Sequence, residues 1–166
     1  MTKPAQIATR SLDSTTPLAA AIDLGPLSGH LAFAVHRAGL ALRRDFMAHM
    51  DDEQIRPMVF HTLALLGANP GIAQSQLASA LAVDKGTMTH LVRDLERRGW
   101  VESGSRFDDR RCKDVFLSPL GVQMLERIKA AVQLHTQGVE ALLTPDERQL
   151  LLQLLHRLER NLGRQP

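Results

Sequence analysis

The sequence concentrates polar side chains suited to nucleic-acid chemistry in the short run VDKGTMTHLVRDLERRGW. Hydroxyl, imidazole and cationic groups recur there at helical spacing, on Lys85, Thr87, Thr89, His90 and Arg93. Hydroxyls and imidazoles can hydrogen-bond to base edges, while Lys and Arg side chains bind phosphates or guanine. A solvated surface helix would show the same composition, so the neighbouring elements must decide between these interpretations.

The run forms the second of two short helices that are separated by a tight turn. Its apolar positions recur at helical spacing and predict an inward stripe, and Gly99 ends the helix. The preceding helix is predicted over Gln74–Leu81, and Val83 closes the connection between the two. The predicted inward residues of the second helix are Met88, Leu91, Val92 and Leu95.

A small β-hairpin is predicted directly after these helices. Trp100–Val101 and Val115–Leu117 are β-prone, and a polar loop with Gly104 lies between them. Two short helices followed by a two-stranded wing make a winged helix-turn-helix, whose second helix fits the major groove. The wing tip carries Arg106, Arg110 and Arg111, which we predict to contact the adjacent minor groove. Asp109 or its neighbour Asp108 is predicted to pair with an arginine and stiffen the loop.

Longer helices flank this domain and complete a mainly α fold. A flexible arm is predicted over 1–25, an N-terminal helix within 26–56, the winged helix-turn-helix over 57–117 and C-terminal helices over 118–166. The first helix is expected from Leu27 to Met50, and a long helix runs from Pro119, behind the N-cap Ser118, to about Leu143. The last helix starts at a capping box, Thr144 with Glu147.

The terminal helices predict a homodimer. The last helix has a broad apolar stripe, and the first helix has an apolar face as well. In a monomer these faces would leave an exposed apolar patch, which usually marks an interface. A closed monomeric bundle is the alternative. The stripe consists of Leu150, Leu151, Leu154, Leu155, Leu158 and Leu162.

Composition limits the remaining classes. The 166 residues suit one domain with helical extensions, and the aromatic content of 4% favours helices over a β-sandwich. No apolar run is long enough to cross a bilayer, and the single Cys112 fits a reducing cytoplasm. The net charge of +2 is too small to establish nucleic-acid binding, so the distribution of charge carries that argument.

The stretch IAQSQLASALAVDKGTMTHLVRDLERRGWVE, followed by DDRRCKDVFLSPLG, resembles the MarR family of bacterial transcription regulators. The resemblance covers about residues 27–162 and implies a homodimer that binds a palindromic operator, usually as a repressor that a small ligand releases. By position it places Lys85, Thr87, Thr89 and His90 on the DNA-contacting helix face of the family, Asp109 on its acidic wing position and Arg110 and Arg111 on its wing arginines. We also predict that Gln74 and Ser75 contact the DNA backbone. Two positions depart from the family: Ala73 replaces a common Thr N-cap, for which Gln74 or Ser75 would compensate, and His90 replaces a common Arg.

The resemblance also implies a pocket for a small effector among the first two helices, the fifth helix and the DNA-reading lobe. An Arg or His in an apolar cleft suits an aromatic carboxylate or its CoA thioester. The alternative is that these histidines belong to the core or an interface and that the arginines are solvated. The candidate residues are Phe33, His36, Arg37, Arg44, Met58, Phe60 and His61.

Other functional classes have weaker support in the sequence. The histidines show no zinc-type spacing, so no metal and no cofactor is predicted, although ligands distant in sequence would escape this test. Cys112 follows two arginines, which leaves a redox- or metal-responsive regulator as one alternative and a ligand-blind architectural DNA binder as another. No nucleophile elbow, P-loop or dinucleotide-binding turn is present, and we expect no enzyme.

Overall fold

The computed structural model describes residues 22–50, 55–105 and 113–162. Within them the chain is mainly helical, with one small antiparallel sheet, as the sequence predicts. The helices are α1 (Leu31–Ala48), α2 (Pro57–Ala68), α3 (Gln74–Ala80), α4 (Lys85–Arg97), α5 (Pro119–Glu140) and α6 (Pro145–Leu162). The strands are β1 (Ile72–Ala73), β2 (Val101–Ser105) and β3 (Lys113–Leu117).

The chain divides into two compact units, one up to Gly39 and one from Leu40 onward. In the first unit, the helix predicted to start at Leu27 begins instead at Leu31, after a short 3₁₀ turn over Gly25–Leu27. The Ser28 hydroxyl and its backbone N–H both donate to the Gly25 carbonyl, at 2.9 and 3.2 Å, which closes that turn. His30 Nδ1 then accepts the Phe33 N–H, so a new helix starts there.

The second unit has a single hydrophobic core between α2, α3, α4, α5 and the sheet. Its central side chains come from every one of these elements. The helices that flank α3 and α4 therefore also support these two helices. The inward stripe predicted for α4 is confirmed, with Leu91 partly buried at its edge. The fully buried side chains are Leu63, Leu66, Leu77, Met88, Leu95, Val115 and Ile128.

The sheet has three strands in the order β1-β3-β2. β2 and β3 form the predicted hairpin, with Val101 opposite Leu117 and Ser105 opposite Lys113. The two-stranded wing is confirmed, and the sheet has a third strand that the sequence did not predict, because β1 pairs with the other edge of β3, Ile72 opposite Val115. A strand of two residues is too short to show the alternation from which strands are predicted.

The predicted caps of the last two helices are confirmed. Ser118 Oγ accepts the Gly121 N–H at 2.9 Å. Thr144 and Glu147 form the reciprocal capping box, with N–H to side-chain oxygen distances of 2.8 and 3.3 Å. The helix between them ends at Glu140, slightly before the predicted Leu143, because the Leu142 and Leu143 N–H groups bond three residues back and close a tighter turn.

The last helix differs from the others in having no buried residue. Its leucines stay exposed along the predicted stripe, from 36% for Leu154 to 68% for Leu162, and only Leu158 is partly covered. Among the helices of the described segments, none combines the length and the apolar character required to cross a membrane.

Candidate nucleic-acid interface

The turn between α3 and α4 fixes how the second helix is presented. The Val83 N–H bonds to the Ala78 carbonyl and the Ala82 N–H to the Ser79 carbonyl, which is the Schellman pattern at a helix end. Ala82 occupies the left-handed position, with a φ of 51°. Glycine usually fills this position, since a side chain there is strained. The tight connection therefore depends on a strained residue.

Asp84 caps the N-terminus of α4, a role that the sequence interpretation missed. One carboxylate oxygen accepts the Thr87 N–H at 2.9 Å, and the other accepts the Thr87 hydroxyl at 2.6 Å. These bonds from Thr87 hold the pKa of the Asp84 carboxyl below its usual value. Because the Thr87 proton is donated to Asp84, the Thr87 hydroxyl faces solvent mainly as an acceptor. An Asp immediately before the first helical residue was the available sequence signal.

A hydrogen bond between side chains ties α3 to α4. Gln74 Nε2 donates to Thr89 Oγ1 at 2.9 Å, and Thr89 Oγ1 itself donates to the Lys85 carbonyl at 2.8 Å. Ala73 has no side-chain oxygen to cap α3, and no side-chain cap bond replaces it, so the compensation expected from Gln74 or Ser75 is not seen. The other half of a capping box is present, in which the Gln76 side chain accepts the Ala73 N–H at 3.2 Å. Gln74 and Thr89 therefore set the spacing of the two helices, and their predicted DNA contacts stay predictions.

The other polar side chains of this face are free to bind a ligand. Lys85, His90 and Arg93 are exposed. Within the part of the chain that the structure describes, no side-chain hydrogen bond or ion pair engages them. Two cations and an imidazole therefore lie unneutralised between the first and the ninth residue of α4. At the first residue, Lys85, the helix dipole also favours negative charge.

A shallow groove of about 640 Å³ lies between α3, α4 and the start of β3. Lys85, Arg93 and Lys113 contribute cationic groups to its lining, and among the described residues that line it none carries a carboxylate. Ser75 and the Gln74–Thr89 pair complete the polar part of the wall. This surface suits the phosphate backbone of a nucleic acid. Lys113 was missed from sequence because it lies beyond the loop, on the strand side of the wing.

The C-terminal half of α4 is anchored to the protein. Asp94 accepts from both Arg97 and Arg98 at 2.8 Å. The Arg98 guanidinium also lies 5.0 Å from the ring centroid of Trp100, and its side chain is only 23% exposed. Glu96 accepts the Ser103 hydroxyl at 2.5 Å and thereby links α4 to the wing strand β2. Charges in this half position the helix.

The end of α4 is also clamped against the start of α5. Gly99 has a φ of 70° and turns the chain, as predicted, so that the Trp100 N–H reaches the Leu95 carbonyl at 3.0 Å. The Ser118 hydroxyl donates to the Gly99 carbonyl at 2.5 Å. A Cβ on Gly121 would lie 1.8 Å from the Trp100 carbonyl oxygen, so only glycine permits this approach. Backbone contact thus fixes α4 relative to α5.

Other predicted site residues cannot be tested in the same way. The wing-tip residues Arg106, Asp109, Arg110 and Arg111, together with Cys112, lie outside the described residues.

The seven candidate pocket residues divide between the two units, and their common role stays a prediction. In the first unit, the Arg37 guanidinium lies 5.9 Å from the centroid of the partly buried Phe33, and His36 is exposed. In the second unit, Phe60 contacts His61 at a centroid distance of 5.8 Å. Burial lowers the pKa of the His61 imidazole, although much of the residue stays exposed. Arg44 is exposed, and Met58 is partly buried.

Comparisons with known proteins agree with this geometry. A family model described as "MarR family" matches residues 57–113. The putative transcriptional regulatory protein for the hcr operon of Thauera aromatica is 35% identical over 137 residues, 82% of either chain. The repressor CouR bound to a 23-mer DNA duplex is 32% identical with a TM-score of 0.76, over 82% of this chain and 97% of that one. CouR bound to p-coumaroyl-CoA is 30% identical with a TM-score of 0.75, over 84% and 98%.

Proposed function

The chain belongs to the MarR family of transcriptional regulators, and on that premise we propose that it is a sequence-specific repressor. It acts as a homodimer on a pseudopalindromic operator in the cytoplasm, and a small effector releases it. As a member of this family it is a regulator and not an enzyme.

The observation that carries the DNA-binding proposal is the unpaired polar surface of α4. Lys85, His90 and Arg93 are exposed beside a cation-lined groove, on the second helix of a helix-turn-helix. In such domains the N-terminal residues of that helix meet base edges in the major groove. His90 and Thr87 read bases in this proposal, while Lys85 and Arg93 bind phosphates or guanine.

The remaining predicted contacts extend this surface. Ser75 and Lys113 border the groove and contact the DNA backbone in this proposal, as does Gln74 where its bond to Thr89 permits. Arg106, Arg110 and Arg111 contact the minor groove beside the α4 site, with Asp109 restraining the loop. Phosphate contacts of this kind set the register and orientation of the protein on the duplex.

The exposed leucines of α6 support the homodimer. An amphipathic helix with an apolar stripe and no buried residue needs a partner surface. A second copy of the chain supplies one, and a two-fold dimer places two α4 helices on successive turns of one face of the duplex. Half-site centres of such dimers lie about 34–36 Å apart.

DNA selection followed by footprinting tests this proposal. The full chain is used to select sites from random duplexes, and the selected sites are footprinted together with the DNA upstream of its own gene. We expect a protected dyad whose half-sites are about one helical turn apart. Protection without a dyad would contradict the dimer, and failure to enrich any sequence would support an architectural binder that does not discriminate between sites.

The effector is proposed to be an aromatic carboxylate or its CoA thioester. The support is that the related repressor CouR, similar over nearly its whole length, was solved with p-coumaroyl-CoA. In this chain, Arg37 and Arg44 are exposed cations that can anchor an acid or a phosphate-bearing thioester. The other candidates, Phe33, His36, Met58, Phe60 and His61, stay predictions from the sequence.

A gel-shift titration of the operator complex with aromatic acids and their thioesters tests the effector. An effector releases DNA only through different affinities for the two states, and typical coupling energies are about 1–3 kcal/mol. Arg37→Ala and Arg44→Ala should retain operator affinity but need more effector for release. Arg43→Ala, next to Arg44 and equally exposed, is the matched control. If both variants respond like the wild type, these arginines do not bind the effector.

A further inference from the structure

Three side chains with metal-binding atoms converge where the end of α1 meets α5. Asp45 and His49 lie one helical turn apart on α1, and His135 reaches them from α5. One ligand atom from each residue lies within 4.8 Å of the others. His135 Nδ1 is 2.6 Å from Asp45 Oδ2, and His49 Nδ1 is 3.6 Å from the same oxygen. All three belong to the second unit.

The surrounding contacts hold the two imidazoles towards the carboxylate. The His135 ring packs edge-on against Phe46 at a centroid distance of 5.5 Å, and Phe46 is only 4% exposed. His49 Nδ1 lies 2.8 Å from the Asp45 carbonyl and donates to it in the metal-free protein, so this hydrogen bond must break for Nδ1 to bind a metal ion. The exposed fraction rises from 14% for the His135 side chain to 34% for His49 and 49% for Asp45. The cluster therefore has a packed base and an opening to solvent.

The chemistry of these ligands selects a class of metal ion. Two imidazoles and one carboxylate suit Zn²⁺ and neighbouring divalent transition metals, whereas Ca²⁺ and Mg²⁺ prefer sites built from oxygen. Bonds of about 2.0–2.1 Å in a tetrahedron place ligand atoms about 3.3 Å apart. The 3.6 Å pair is near that spacing, and the 2.6 Å pair reaches it through a small rotation of the half-exposed Asp45.

We propose that Asp45, His49 and His135 bind one divalent transition-metal ion of the Zn²⁺ class, with water in the remaining coordination position. The ion would join the end of α1 to α5 across 90 positions of sequence. Without metal, Asp45 and His135 form a simple hydrogen-bonded pair that connects the same two helices. The metal site and the hydrogen-bonded pair differ in the role of His49, which binds the ion in the first and takes no part in the second.

The sequence interpretation predicted no metal site because it searched for closely spaced histidines. The i, i+4 pair Asp45 and His49 was the only local signal, and it resembles many solvated helix pairs. The site uses no residue of α3, α4 or the sheet, and its test needs no DNA. Failure of this proposal would therefore leave the proposed function untouched.

Calorimetric titration of the full chain with Zn²⁺, after removal of metal with a chelator, tests the proposal. We expect one Zn²⁺ per chain at micromolar or lower concentration. His135→Gln, His49→Gln and Asp45→Asn should each weaken binding by roughly 10- to 100-fold or more, as losses around metal sites do. The exposed His156→Gln on α6 is the matched control and should bind like the wild type.

Replacement of Zn²⁺ by Co²⁺ adds a spectroscopic measurement. The wild type should show the visible bands of four- or five-coordinate Co²⁺ without a thiolate charge-transfer band, because Cys112 is not a proposed ligand. The bands should be lost in His49→Gln, whose exposed side chain can be replaced without disturbing the core. Absence of Zn²⁺ binding at millimolar concentration, or unchanged binding in all three ligand variants, would overturn the proposal.

Discussion

The two halves of α4 carry similar polar residues but use them differently. Exposed side chains without a partner among the described residues are those of Lys85 and His90 in the N-terminal half and Arg93 just past the middle of the helix. In the C-terminal half, Asp94 and Arg98 bind each other, and Arg98 also lies against Trp100. A helix that reads DNA must be held at one end and open at the other. The contrast identifies which charges position the helix and which can bind a ligand.

The largest expected effect comes from breaking the clamp behind the anchored half. Gly121→Ala places a Cβ against the Trp100 carbonyl oxygen, which no side-chain rotation can relieve. We expect the free energy of unfolding, measured by urea denaturation, to fall by about 3 kcal/mol. Gly138→Ala is the control on the same helix. Its Cβ would meet no atom within 4 Å, so stability should stay equal or rise. Equal effects of the two variants would contradict the close approach.

A smaller effect is expected from Arg98→Ala in the anchored half. This change removes a partly buried ion pair and the contact with Trp100. Together these contribute about 1–2 kcal/mol to stability. Arg97→Ala, an exposed neighbour paired with the same Asp94, should change stability by less than about 0.5 kcal/mol. Thermal unfolding of both variants measures the difference, and a larger loss for Arg97→Ala would reverse our assignment.

A substitution in the turn that precedes the N-terminal half of α4 should stabilise the protein. Ala82→Gly relieves the left-handed backbone at φ 51°. We expect the free energy of unfolding to rise by about 0.5–1 kcal/mol. The relief of backbone strain outweighs the stabilisation of the unfolded chain by the greater conformational freedom of glycine. Chemical denaturation at neutral pH measures this gain. Ala80→Gly, inside the preceding helix, is the control and should lower stability by about 0.5–1 kcal/mol. A loss in Ala82→Gly would show that the turn is not strained.

The smallest effect concerns the cap of the open half. The bonds from Thr87 lower the pKa of Asp84, so the cap contributes stability above the unfolded pKa. This contribution is lost as the pH falls through the lower pKa of the folded state. The stability difference between wild type and Asp84→Asn should therefore be constant near neutral pH and shrink in acid. Unfolding midpoints from pH 7 down to pH 2 measure it, and a difference independent of pH would contradict the charged cap.

The fold could be predicted from the sequence where a feature is local. The spacing of Met88, Val92 and Leu95 predicts the buried stripe of α4. Ser118 and Thr144 predict the starts of α5 and α6. Features that depend on contacts between distant residues could not be predicted. β1 exists only through its pairing with β3, and Asp45 meets His135 only because the end of α1 lies beside α5.

The candidate site was predicted by residue type but not by the state of each side chain. Thr89 and His90 look alike in sequence as polar residues of one face, yet Thr89 is bonded to Gln74 and His90 has no partner among the described residues. Whether a hydroxyl is free depends on the crossing of α3 and α4, which periodicity does not reveal. The sequence therefore named the polar residues of this face but could not rank them.

The most direct test of the DNA-reading account compares His90→Ala with Arg97→Ala on the selected operator and on a scrambled duplex. Fluorescence anisotropy at one fixed salt concentration gives the ratio of the two dissociation constants for each protein. We predict that His90→Ala lowers the preference for the operator over the scrambled duplex by about 1–3 kcal/mol of binding free energy. The thermal stability of this variant should stay unchanged. Arg97→Ala should keep the wild-type ratio. A wild-type ratio for His90→Ala, or an equal loss for Arg97→Ala, would contradict the assignment of base reading to the open half of α4.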